Sequence, residues 1–83
     1  MDEKALTELI RAKLADGSLP QNSIPRVWGG AGRGEICDAC ATVITSNQIV
    51  MEGVSTDAAA KQGIQFHVKC FYLWDLLRSV PGR

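Results

Sequence analysis

The chain lacks most of the features that would announce a chemistry. Its nine lysines and arginines are offset by nine aspartates and glutamates, so composition supplies none of the net positive charge on which nucleic-acid binding usually rests. No apolar run approaches the roughly 20 residues needed to cross a bilayer. No signal or lipidation motif is visible, so a cytoplasmic location without membrane association is expected. There is a single histidine, His67, so Ser46, Ser55 and Thr56 have no second imidazole to activate them as nucleophiles. The cysteine count is three, and an odd number without a secretory segment argues against a disulfide framework.

What is present is concentrated in one pattern. All three cysteines and the histidine fall into Cys37-x2-Cys40, a gap of 26 residues, and His67-x2-Cys70. Each pair brings two soft or borderline donors close together. Two such pairs joined by folding make a tetrahedral shell of three sulfurs and one nitrogen, a set that suits one structural Zn2+. A redox dithiol at Cys37-Asp38-Ala39-Cys40 would call for a helix starting at the motif, yet Ala41-Thr42-Val43-Ile44-Thr45 is β-branched and reads as extended. With four protein ligands the shell is closed, and Asp38 has no acid/base partner. The metal is therefore expected to be structural and the chain not an enzyme.

At 83 residues the chain makes one small domain in which a metal is a natural staple. Binding of structural zinc contributes about 10–16 kcal/mol that is largely folding energy, so chelation is expected to unfold at least residues 36 to 74. Residues 1–35 read as an N-terminal amphipathic helix and a Pro/Gly-rich connector. Residues 36–83 read as a zinc-binding β-hairpin plus a C-terminal helix, the whole forming one compact unit.

Within that frame, residues 2 to 16 carry Leu6, Leu9, Ile10 and Leu14 at helical spacing, with Asp2 placed to cap the start and Gly17 to end the helix. Residues 18 to 35 are rich in proline and glycine and read as irregular, anchored by Ile24, Val27 and Trp28. Ile49 to Val54 and Ile64 to Val68 read as strands of a hairpin whose connection spans 55 to 63. Lys69 to Val80 read as a helix with Cys70, Phe71, Trp74 and Leu77 on one face. Its apolar surface extends to Tyr72, Leu73, Leu76 and Val80, wider than one contact needs, and the N-terminal helix is expected to cover Leu73, Leu76 and Val80. Arg33 and Lys69 are expected to stand near the net-negative thiolate site.

The order of these parts, a C-x2-C knuckle, a hairpin and a helix whose first turn carries Cys70, resembles the treble-clef class of zinc fingers through Cys37, Cys40, His67 and Cys70. Phe66-His67-x2-Cys70-Phe71 is also similar to the first zinc-binding half of a LIM domain. A LIM domain would have a further cysteine where this chain has Leu73, so LIM biology does not carry over. The Pro25-Arg26-Val27-Trp28-Gly29-Gly30 segment and the ending at Trp74 resemble small one-zinc bacterial proteins. The resemblance implies a metal-stabilised α+β module without naming a partner. A protein-interaction or regulatory adaptor, monomeric or weakly dimeric, is the leading expectation. The alternatives are a nucleic-acid-binding finger using Arg26, Arg33, Lys61, Lys69, Arg78 and Arg83, and a zinc-thiolate redox sensor.

Overall fold

A computed structural model describes residues 2–56 and 63–79. The elements run α1 (Glu3–Ala15), β1 (Val27–Ala31), β2 (Glu35–Ile36), β3 (Val43–Ile44), β4 (Ile49–Val54), β5 (Gly63–His67) and α2 (Val68–Arg78). This is a small α+β fold with two helices, a three-stranded antiparallel sheet ordered β1-β4-β5, and a two-stranded ladder of β2 and β3.

Helix α1 follows from its capping and its stripe. The Asp2 carboxylate accepts from the Ala5 amide at 2.7 Å, satisfying a donor that the first turn leaves open. Leu6, Ile10 and Leu14 are buried, while Leu9 at the margin is only partly so. Gly17 takes a left-handed φ of +84° just past the helix, where a Cβ would be strained.

One core joins both ends of the chain. Leu6, Ile10, Leu14 and Leu19 share a cluster with Ile44, Val50, Ile64, Phe66, Cys70, Trp74 and Leu77. Phe66 stacks on Trp74 at 5.3 Å between centroids. The Trp74 indole N–H donates to the Pro20 carbonyl at 2.9 Å in the interior, so the one polar atom of that ring is satisfied where water is excluded.

The structure departs from the sequence reading in three places. The stretch expected to be irregular contains β1, because Val27 to Ala31 pair in continuous register with Gly53 to Ile49; glycines that weaken an isolated strand are tolerated when β4 offers a template. Trp28, expected to anchor the connector, is 47% exposed, since its position on β1 turns it away from the α2 side. Leu76, expected beneath α1, is 60% exposed; α1 packs against α2, and the buried residues of α2 are Cys70, Trp74 and Leu77. Val80, the hairpin connection from 57 to 62, and the basic residues Lys61 and Arg83 lie outside the described residues.

The backbone phase of the sheet decides where the knuckle docks. Gly32 N–H donates to the Gln48 carbonyl at 2.9 Å, which makes that opposed pair a hydrogen-bonded one. Alternation then makes Gly30/Val50 and Trp28/Glu52 hydrogen-bonded too. Glu52 thus turns its backbone groups toward β1, and its opposite neighbour Gln65 turns its own outward from the β5 edge. Gly32 itself has no room for a side chain: a Cβ there would sit against the Ile44 carbonyl at 2.8 Å.

Candidate metal centre

The outward edge of β5 receives the first cysteine pair. The Gln65 N–H donates to the Asp38 carboxylate at 2.8 Å, and the Asp38 N–H donates to the Gln65 carbonyl at 2.8 Å. The residues between Cys37 and Cys40 are in this way stitched to the strand that ends in His67. The turn closes on itself through Ala41 N–H to the Cys37 carbonyl at 2.9 Å and Cys37 N–H to the Thr42 carbonyl at 3.0 Å. Ala41 follows the second cysteine with φ +63°, a left-handed conformation in a residue that bears a Cβ.

The second pair straddles a strand-to-helix junction. His67 is the last residue of β5 and the N-cap of α2, with extended φ −60° and ψ 153°, and Cys70 lies one turn on, in the first turn of α2. The spacing i, i+3 across this junction points both side chains toward the knuckle.

The ligand atoms of Cys37, Cys40, His67 and Cys70 all lie within 4.8 Å of one another, and the three cysteines are free thiols. The four can hold a single metal ion. The His67 Nδ1 is 3.4 Å from the Cys40 sulfur and 4.0 Å from that of Cys70. Its other nitrogen, Nε2, lies 3.2 Å from the Val43 carbonyl. A carbonyl only accepts, so Nε2 carries the proton and Nδ1 presents its lone pair to the cysteines, the tautomer a metal ligand requires. Thr42 Oγ1 lies 2.9 Å from the Cys40 sulfur, and in a metal-bound thiolate the hydroxyl is the member of that pair that donates.

A hydrogen bond links the Cys37 and Cys70 sulfurs and moves their thiols in opposite directions. The hydrogen bond from Cys70 is the largest influence on Cys37; together with backbone N–H groups of Cys40, His67 and Ala39, and against burial, it holds the Cys37 thiol down to about 4. Cys70 is pushed up by the same hydrogen bond, by burial and by the charges of Cys37 and Cys40. A divalent cation held by both sulfurs would take the place of that hydrogen bond.

All four expected site residues are brought together. Lys69 borders the cleft of about 290 Å³ that Cys40, His67 and Cys70 line with Leu6, Thr42 and Gln48. Arg33 stands elsewhere, beside Glu35, whose carboxylate accepts its backbone N–H at 2.5 Å. A cation that the sequence did not reveal serves the knuckle: Lys13 Nζ donates to the Asp38 and Ala39 carbonyls at 2.9 and 3.0 Å. Its position in the last turn of α1 carried no sign of a reach 25 residues along the chain. The Val43 carbonyl is equally invisible to motif reading, because every residue has one.

Comparison with protein families, with curated proteins and with solved structures returned no match to this chain.

Proposed function

We propose that the chain is a non-catalytic structural-zinc module that acts as a protein-interaction or regulatory adaptor. The observation that carries the first half is the donor set itself: three sulfurs and one correctly protonated imidazole converge from the chain and leave no coordination position for water or substrate. In a tetrahedral site with bonds of about 2.3 Å to sulfur and 2.0–2.1 Å to nitrogen, sulfur–nitrogen edges are about 3.6 Å. The distances of 3.4 and 4.0 Å from His67 bracket that value. Loaded, the site carries about one net negative charge and sits at the start of α2, whose first turn contains no acidic residue; the centre supplies the anion that the positive end of the helix favours.

The arrangement of parts also supports a treble-clef-like reading. The β2–β3 turn holds the first cysteine pair, β4 and β5 form the hairpin, and the start of α2 supplies the remaining ligands.

The adaptor half rests on surface chemistry. Tyr72 and Leu76, one turn apart on α2, are 62% and 60% exposed and form an apolar face with no cover among the described residues. Nucleic-acid binding has less support: Arg78 is paired with Asp75 and lies over the Trp74 ring at 5.3 Å, while Phe66 and Trp74 are core residues rather than stacking platforms.

The test is affinity purification of the tagged, zinc-loaded protein from its native cell extract, with and without nuclease, beside a Tyr72→Lys/Leu76→Asp variant. A defined protein partner that survives nuclease and is lost in the variant is the expected result. Recovery abolished by nuclease would replace the adaptor reading with nucleic-acid binding.

A further inference from the structure

The two edges of the three-stranded sheet are treated differently. On β5 the outward backbone groups of Gln65 are bonded to Asp38, and the His67 N–H is directed to the Cys37 sulfur. On β1, the phase set by Gly32 and Gln48 turns the N–H and C=O groups of Val27, Gly29 and Ala31 away from β4. No hydrogen bond among the described residues reaches them. Trp28 through Ala31 are exposed. The edge carries none of the devices that usually blunt one: from Val27 to Ala31 there is no charge, no proline and no bulge, and the register with β4 is unbroken.

We infer that β1 is a pairing edge through which two copies of this chain associate, antiparallel and centred on Gly29. The inference uses no metal ligand and goes beyond the adaptor reading. A second copy is the occupant because the segment is complementary to itself. With Gly29 opposite Gly29 of the second copy, Val27 faces Ala31 and Ala31 faces Val27. All of these are the outward-facing residues, so every opposed pair of that set is a hydrogen-bonded one.

The side chains fit the same register. Trp28 falls opposite Gly30 of the second copy at a non-hydrogen-bonded position, where Cα atoms approach to about 4.5 Å. Added bulk on Gly30 would meet nothing within 4 Å, so the space above it accepts an indole, and a tryptophan covering a cross-strand glycine compensates for the packing the glycine lacks. The two-fold axis repeats this contact, and both half-exposed tryptophans are covered at once. A centre on Trp28 would pair only Val27 with Gly29 within the strand and oppose the two indoles, and a centre on Gly30 would pair only Gly29 with Ala31, so the centre on Gly29 is the one that pairs all three outward residues of β1.

A single strand pair buries little area, so the dimer is weak and concentration-dependent. The decisive experiment is sedimentation equilibrium of the zinc-loaded chain from micromolar to millimolar concentration, joined to residue-resolved amide exchange. The expected mass rises toward twice the 9.0 kDa of the chain. The amides of Val27, Gly29 and Ala31 gain protection as it rises, while those of Trp28 and Gly30 are slow throughout.

Gly29→Pro removes an outward N–H without touching a bond to β4 and is expected to hold the protein monomeric with zinc retained. Gly30→Lys, which places an ammonium where the indole would lie, is expected to do the same and stands in if the proline variant fails to fold. A monomer at every concentration would overturn the inference. So would a dimer unaffected by both variants, which would point to the Tyr72 and Leu76 face. Protection of the odd-numbered amides only when a different chain is added would also overturn it.

Discussion

Asp38 and Gln65 hold each other by two hydrogen bonds of 2.8 Å, one through the Asp38 carboxylate and one through its backbone N–H. A residue placed in the tight turn between Cys37 and Cys40 thereby extends the sheet by one position and ties that pair to the strand that ends in His67.

That relationship predicts the behaviour of Asp38→Ala. Losing the carboxylate leaves the part-buried Gln65 N–H without its acceptor, at a cost of about 1–3 kcal/mol. Zinc affinity falls by about 10–100-fold, as for other groups that orient ligands. Asp38→Asn keeps an acceptor and retains most of both. Competition with a chromophoric chelator measures the affinity, and urea unfolding at saturating zinc measures the stability.

Metal removal is expected to unfold the protein rather than loosen it. Cys37, Cys70 and Trp74 belong to the same core cluster, so the metal and the aromatic centre stand or fall together. Excess chelator should abolish the near-ultraviolet circular dichroism of Trp74, and Cys40→Ser or Cys70→Ser should do the same without chelator. A serine variant that keeps one equivalent of zinc and a native spectrum would sink the ligand assignment.

His67→Cys is expected to keep the metal, since four thiolates form an equally acceptable tetrahedral set. The variant forfeits only the bond from Nε2 to the Val43 carbonyl, which lies at the surface and can be met by water. Cobalt substitution reads the outcome: the thiolate-to-metal absorption should grow in proportion to the fourth sulfur. Loss of metal would show that the imidazole's tie to Val43 is needed to hold the knuckle in place.

Ala41→Gly is expected to stabilise the protein by about 0.5–1 kcal/mol. The left-handed φ of +63° costs a residue with a Cβ about 1–2 kcal/mol, and the greater freedom of glycine in the unfolded chain returns part of that gain. Ala41→Val should destabilise it. Denaturant midpoints at fixed free zinc compare the three proteins.

The convergence of Cys37, Cys40, His67 and Cys70 into one cluster able to hold a metal was legible from spacing alone, because no other use of the four accounts for all of them at once. The α1 stripe and strand β4 were legible for a related reason: local periodicity and β-branching agree with the tertiary outcome. Strand β1 was not, since Gly29 and Gly30 read as a loop until β4 supplies a template. The burial of α2 was half legible. Its apolar width is plain in the sequence, but which residues face α1 depends on the rotation fixed by Cys70, and that rotation leaves Tyr72 and Leu76 outside. Lys13 was illegible because its partners are backbone carbonyls of the knuckle, which leave no trace in residue identity.

The bond from the Trp74 indole to the Pro20 carbonyl spans 54 residues and has a consequence for synthesis. A chain emerging from the ribosome makes α1 and the segment around Pro20 long before α2 exists, and until Trp74 emerges the Pro20 carbonyl lacks its donor and the α1 stripe lacks the helix it packs against. Folding by halves is thus disfavoured within this domain. The nascent chain reaches the stage at which Cys37 and Cys40 are exposed while Cys70 is still unmade, so capture of the ion by all four residues and closure of the core around Trp74 wait together on the synthesis of α2.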